Sequence, residues 1–272
     1  MVPLPSQPKV SKKDKNLAVF EIEGLYPGYG ITIGNSLRRA LLSSLPGAAA
    51  TQVKIKGVSH EFSTVPGVLE DVITIMLNLK QMRFKLFGDE PQKVTLKIKG
   101  EKEVKGSDLV LPSQVELINS NCHIATLTAK SSELEMEILV ERGLGFRARE
   151  NRKKGVPGQE KLEIGVIALD AIFTPIKKVS FKTENMRVGE RTDYDRIYLE
   201  VETDGTIDPE DAFFGAADTM VKHFSVLSEA FKKAEEVLPA QDLETIKKKK
   251  IKQPKVSKKH APKKSGQAKK KK

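Results

Sequence analysis

The sequence predicts an α+β protein, and three observations carry that prediction. Short stretches alternate apolar and polar residues, as half-buried strands do. Three other segments place their apolar residues at helical spacing. One-sided strands of this kind belong to antiparallel sheets with one wet face. The chain is long enough to share a sizeable core among these elements: 272 residues, 39% of them hydrophobic and 31% charged, about two domains' worth.

Taken in order, residues 1–15 carry proline and lysine without periodicity and read as a flexible lead-in. Phe20–Ile22 is a short strand. The first helix follows Thr32, runs roughly over Gly34–Leu45 and is stopped by Pro46-Gly47. Ile33, Leu37, Ala40, Leu41, Ser44 and Leu45 share its core face, whereas Arg39 and Leu42 point the other way and Arg38 lies at the boundary. Two arginines on such a face are either simply solvated or, beside an exposed leucine, part of a partner interface, where arginine is enriched and packs its stem. Val53–Ile55 is a second short strand.

The second helix spans roughly Leu69–Met82, with Glu70 and Asp71 in its first turn, where acids favour the helix dipole. Its apolar arc is wide, taking in Leu69, Val72, Ile73, Ile75, Met76, Leu77, Leu79 and Met82, and Lys80 projects near the centre of that arc. Lys80 either snorkels from the C-terminal end or meets an acidic or carbonyl partner from another chain. Three longer strands follow. Val94, Leu96 and Ile98 alternate with lysines and a threonine; Leu134, Met136, Ile138 and Val140 alternate with glutamates; Ile197, Leu199 and Val201 alternate with Tyr198, Glu200 and Glu202.

The third helix opens on Asp208-Pro209-Glu210-Asp211, which supplies an N-cap, a proline at the first helical position and first-turn acids. Phe213, Ala217, Met220, Phe224, Leu227, Phe231, Ala234 and Leu238 then step by 4, 3, 4, 3, 4, 3 and 4, a 3.5-residue seam. Such a helix lies on its own sheet or packs lengthwise on another helix. Three phenylalanines on one seam favour the second arrangement, and a second copy of the chain is the natural partner. A homodimer is expected.

Charge narrows the function classes. The net charge is +11, yet fourteen lysines and no acid lie between Thr245 and Lys272, so the remainder carries 33 basic against 36 acidic residues. The basicity belongs to a lysine-rich tail that cannot bury enough apolar surface to fold alone, expected to be disordered over 239–272. A mildly acidic body does not present a broad face for nucleic acid. No run approaches the ~20 apolar residues of a membrane-spanning helix, and the first dozen residues lack the apolar centre of a secretion signal. Cys122 is the single cysteine, so no intramolecular disulfide or four-thiolate zinc site can form. The chain reads as cytoplasmic, without a membrane partner.

Catalytic constellations are missing. Gly28-Tyr29-Gly30-Ile31-Thr32-Ile33-Gly34 has GxGxxxG spacing, not that of a dinucleotide loop, and is better read as glycines turning the chain into a helix. His60, His123, His223 and His260 have no i,i+4 or HExxH relation, and Cys122-His123 sits on an apparent strand with its side chains on opposite faces. Asp193 and Asp195 are flanked by Arg191 and Arg196, which favours a salt-bridged turn entering the next strand over a magnesium pair. The residues describe a binding or scaffolding protein with no cofactor of its own.

The run Gly34-Asn35-Ser36-Leu37-Arg38-Arg39-Ala40-Leu41-Leu42-Ser43-Ser44-Leu45-Pro46-Gly47 resembles the signature helix of the amino-terminal domain of bacterial RNA polymerase alpha subunits. His60-Glu61-Phe62-Ser63-Thr64, Leu77-Asn78-Leu79-Lys80, Arg191-Thr192-Asp193 and Thr203-Asp204-Gly205-Thr206-Ile207-Asp208-Pro209-Glu210 continue the resemblance in order over about Asn16–Phe231. It implies a discontinuous dimerisation subdomain (16–46 plus 176–238, an antiparallel sheet with long helices) and an inserted, mostly-β subdomain (47–175). It implies a homodimer that nucleates the beta and beta-prime subunits, with omega and sigma in the full enzyme and the catalytic magnesium in beta-prime. By motif position, Arg39, with Arg38, His60, Glu61, Phe62 and Ser63, faces beta; Lys80 and Leu169 face beta-prime; Leu37, Leu41, Phe213, Ala217, Met220, Phe224, Leu227 and Phe231 form the dimer interface.

The family's compact DNA-binding carboxy-terminal domain has no counterpart after Leu238. The lysine tail in its place is expected to contact DNA phosphates by charge alone. The resemblance thus implies a non-catalytic subunit of a nucleotidyltransferase, cytoplasmic at the bacterial nucleoid or in a plastid. The alternative is a stand-alone basic nucleic-acid-binding protein of ribosomal type.

Overall fold

The computed structural model describes residues 2–150 and 165–236, with the backbone alone over 231–236; the lysine-rich segment lies outside the described residues. It is an α+β structure with two large hydrophobic cores and a small buried cluster of Ala49, Ala171 and Phe173. Residues 1–222 form one compact unit, and a second unit begins at His223.

The first core is built from both ends of the fold. Strands β1 (Lys9–Lys13), β2 (Leu17–Leu25), β14 (Arg191–Thr203) and β13 (Ile176–Val188) make an antiparallel sheet in the order β1-β2-β14-β13. The register sets Phe20 opposite Leu199 and Ala18 opposite Val201, so the alternation in both strands puts their apolar side chains on one face. Two helices cover that face: α1 (Tyr29–Ser43) through Leu37, Ala40 and Leu41, and the first turns of α3 (Pro209–Glu236) through Ala212 and Ala216.

Between these segments the chain builds the second core. Strands β3 (Pro46–Ile55), β4 (Phe84–Leu86), β5 (Gln92–Lys99), β7 (Val115–Leu117) and β9 (Glu133–Leu144) lie in the order β5-β9-β3-β4-β7, with β11 (Val166–Ala168) also paired to β3. Two short pairs, β6 (Lys102–Lys105) with β8 (His123–Leu127) and β10 (Phe146–Arg147) with β12 (Ala171–Ile172), complete it. Helix α2 (Val72–Lys80) packs Val72, Ile75, Met76 and Leu79 into this core. The chain enters this part at Pro46-Gly47 and leaves it at Phe173–Pro175. There the backbones approach so closely that a Cβ on Gly47 would overlap the carbonyl oxygen of Phe173.

Several elements differ from the sequence reading, each for a tertiary reason. Helix α1 begins at Tyr29, five residues before the expected Gly34. Gly28 precedes it at φ 84°, in the left-handed region. The N–H groups of Gly28 and Gly30 both donate to Asp195 Oδ2, at 2.9 Å each. A distant strand therefore supplies the cap that the local sequence lacks. Helix α2 is shorter than expected at both ends: Asp71 is its N-cap, with Oδ1 accepting the Thr74 N–H at 2.8 Å. Glu70 turns away from the helix, its carboxylate accepting the N–H and hydroxyl of Thr126 at 2.6 and 3.0 Å and lying 2.9 Å from His123 Nε2.

Lys9–Lys13, expected in a flexible lead-in, pairs with β2 as an edge strand, the lysines staying in water. The expected turn at Asp193–Arg196 lies inside β14 instead. Strand β13 shows no clean alternation in its sequence; its long ladder with β14, from Ile176↔Thr203 to Val188↔Arg191, holds it extended.

Asp195→Ala removes the acceptor for two helix N–H groups and is expected to cost about 1–2 kcal/mol. That corresponds to a fall in Tm of roughly 2–8 °C for a chain of this size, read by thermal denaturation. An unchanged Tm would mean that water caps α1 equally well.

Candidate functional site

Helix α2 presents two faces where the sequence suggested one wide arc. Val72, Ile75, Met76 and Leu79 point inward, while Ile73 and Leu77 are exposed, as is Leu69 ahead of the helix. Beside Leu77 stands Phe62, 76% exposed, on a turn in which Ser63 Oγ donates to the carbonyl of His60 at 2.6 Å. The carbonyl of Ser63 accepts the N–H of Val72 at 3.3 Å, which ties this turn to the start of α2.

An ionic network anchors the same surface. Lys80 Nζ lies 3.3 Å from Asp170 Oδ2, the Arg149 N–H donates to Asp170 Oδ1 at 2.9 Å, and Arg149 Nη1 donates to Glu61 Oε1 at 3.3 Å. The Arg149 N–H, helped by Lys80, holds the Asp170 carboxyl below the usual carboxylate range against the opposing cost of burial. Leu169 is 1% exposed and forms part of the floor of a shallow cavity of about 200 Å³, walled by Glu61, Phe62, Ile73, Leu77 and Lys80. The sequence leaves Lys80 to snorkel or to meet a partner from another chain; its acidic neighbour is instead Asp170 of the same chain. Glu61, Phe62, Lys80 and Leu169, assigned by resemblance to two different partners, converge on one surface. Leu169 reaches it from the core side, with Asp170 carrying the exposed polar group.

The second surface lies on α1 and α3. Arg38, Arg39 and Leu42 are exposed on α1, as the helical spacing required. The expected dimer residues divide. Leu37 and Leu41, 6% and 0% exposed, belong to the protomer's own core. Phe213, Ala217 and Met220 pack against that core too, and the Phe213 ring stacks on Phe20 at 4.6 Å between centroids. The first half of the seam is therefore occupied within the chain, because the sheet face formed by β2 and β14 takes it. Phe224 and Leu227 are exposed, as are Phe214 and Val221, which lie off the expected seam. Phe231 and the rest of the seam fall where no side chain is described.

The remaining candidates for chemistry are committed elsewhere. Asp193 takes two hydrogen bonds from Arg191, at 3.0 and 2.7 Å, and Asp195 caps α1. Cys122 is half-buried, and burial pushes its thiol pKa up, away from the reactive thiolate. Asp170 and Arg149 were not legible as site residues, because an ion pair between segments distant in sequence leaves no periodic trace.

Comparison with known proteins places these surfaces in context. The family model described as the RNA polymerase Rpb3/RpoA insert domain matches residues 53–174. The chain is 49% identical over 222 residues to the DNA-directed RNA polymerase subunit alpha of Carboxydothermus hydrogenoformans, covering 81% of this chain and 69% of that one. It is 48% identical over 208 residues to the same subunit of Oceanobacillus iheyensis (76% and 64%), and 45% identical over 236 residues to that of Symbiobacterium thermophilum (86% and 73%). The chain thus spans roughly two thirds of the length of these relatives.

The Asp170 network has a testable pH signature. Its folded pKa is depressed, so its contribution is present above the unfolded carboxylate value of about 4 and is lost as pH falls through the folded value. The Tm difference between the native chain and Asp170→Asn is expected to be largest near pH 7 and to close below about pH 4. A difference independent of pH would mean that the carboxylate charge does not act here.

Proposed function

Since the chain belongs to the family of bacterial DNA-directed RNA polymerase alpha subunits, we propose that it acts as the dimeric, non-catalytic assembly scaffold of that enzyme. The observation that carries this reading is the convergence of exposed Phe62 and Leu77 with the Glu61–Arg149–Asp170–Lys80 network on one rigid surface. Interface hot spots have this character: an aromatic anchor held by oriented charges that need no reordering on binding. Exposed Phe214 and Val221 in the first unit, and separately exposed Phe224 and Leu227 in the second, offer apolar surface to a second copy. Homodimerisation then duplicates the α2 surface. One copy serves beta and the other beta-prime, with Arg39 at the beta contact and Lys80 at the beta-prime contact. Omega and sigma join the assembled enzyme, and the magnesium for nucleotidyl transfer is held by beta-prime.

The site of action is the cytoplasm, at the DNA. Lysines 247–272 add non-specific affinity for phosphates in this reading, since fourteen cations without an acid gain by counterion release. Deleting residues 245–272 is expected to flatten the dependence of DNA binding by the assembled enzyme on salt, measured by titration in increasing salt; an unaltered slope refutes this role.

Two substitutions separate self-association from subunit capture. Phe224→Asp is expected to bury a charge between copies, at a cost of several kcal/mol, and to give monomers by light scattering. Arg39→Ala is expected to keep Tm and the dimer while weakening capture of beta in a pull-down. A Phe224→Asp dimer, or an Arg39→Ala chain that aggregates, would contradict the respective role.

A further inference from the structure

We propose that Arg83 is a positioning residue that locks the α2 surface to the first turns of α3 through Asp204. The two cores are joined covalently only where the chain crosses, at Leu45–Gly47 and at Phe173–Ile176, and two crossings alone leave a hinge. A small buried cluster of Ala49, Ala171 and Phe173 packs at the crossing but fills only part of the junction. A cleft of about 400 Å³ lies there, with Phe84, Lys85, Leu86 and Arg142 on one side and Thr206, Ile207, Asp208 and Asp211 on the other.

Asp204 stands at this junction with its side chain only 6% exposed, and Arg83 Nε lies 3.6 Å from its Oδ2. A carboxylate removed so far from water needs a counter-charge, and here the counter-charge comes from the other side of the junction. Each partner is also fixed within its own half. Arg83 Nη1 donates to the carbonyls of Lys80 and Met82, at 2.9 and 3.1 Å, so the guanidinium holds the C-terminal end of α2. Its backbone N–H donates to Asn119 Oδ1 at 2.8 Å. Asp204 Oδ1 accepts the N–H and hydroxyl of Thr206, at 3.0 and 2.6 Å, which shapes the turn leading into α3, while its own N–H donates to the carbonyl of Pro175 at 2.9 Å. One planar group thereby ties the last carbonyls of a surface-bearing helix to the entry turn of another.

The consequence is a fixed angle between Lys80, Leu77 and Phe62 on one side and Phe214 and Val221 on the other. A scaffold whose two surfaces are held at one angle presents them without an ordering cost. The inference concerns geometry within the chain and does not depend on which subunits dock.

Spin labels at Glu101→Cys and Asn185→Cys, one in each half, in a full-length Cys122→Ser chain diluted with unlabelled copies, report that angle as a distance distribution. The native pair is expected to give one narrow distance. Arg83→Gln, and Asp204→Asn, which keeps the Thr206 hydrogen bonds but removes the charge, are each expected to broaden it about twofold, as a freed hinge does. A width unchanged in Asp204→Asn, with the chain folded by circular dichroism, overturns the proposal. Broadening in both variants of a chain whose native form captures neither large subunit would count against the scaffold reading alone.

Discussion

The antiparallel pairing of β2 with β14 is the interaction on which the remainder of the structure depends. It joins Leu17–Leu25 to Arg191–Thr203, so the first core forms only once the early and late segments of the chain have met. Everything between must then leave and return at one place, and the close backbone approach of Gly47 and Phe173 is the result. The same pairing lays α1 and α3 on one face of one sheet and carries Asp195 to the start of α1. Contacts of such long sequence separation cost loop-closure entropy before they return any burial. The pairings of the inserted core, such as Phe84 with Leu117 and Ile55 with Met136, close shorter loops and cost less of this entropy.

Charge in this molecule orients more than it stabilises. Exposed ion pairs such as Lys97–Glu135 and Lys178–Glu200 contribute little each; they keep the outer faces of the sheets soluble and blunt their edges. The half-buried pairs do something different. Lys80–Asp170 and Arg149–Glu61 join α2, the Phe62 turn and the segment after β11 into one rigid patch, and Arg83–Asp204 bridges the two cores. At Asp170 and at the Arg83–Asp204 pair a backbone group shares the carboxylate or the guanidinium, so the ion pair sets a direction as well as a distance.

The third helix illustrates how one apolar stripe can meet two different environments. Its 3.5-residue seam is present, yet Phe213, Ala217 and Met220 face the helix's own sheet while Phe224 and Leu227 are left exposed. Periodicity identifies which residues share a stripe. It carries no information on whether that stripe meets a sheet of the same chain or a helix of another, because both environments select the same apolar side chains. Helix α2 has the same ambiguity: its wide arc divides into a core face and the exposed Leu69, Ile73 and Leu77.

The sequence by itself determined the α+β class, the inward faces of β5, β9 and β14, the outward direction of Arg39 and the separation of the basic tail from a mildly acidic body. These follow from local alternation and from counting charge, and neither depends on what lies opposite. Tertiary structure alone decided where α1 begins, that Lys9–Lys13 and Ile176–Val188 are strands, that Leu169 and Lys80 line one cavity and that Asp170, Arg149, Arg83 and Asp204 join remote segments by charge. Each of these rests on a group brought from a distant part of the chain, and a hydrogen bond or ion pair between remote segments imposes no periodic requirement on the residues that flank it.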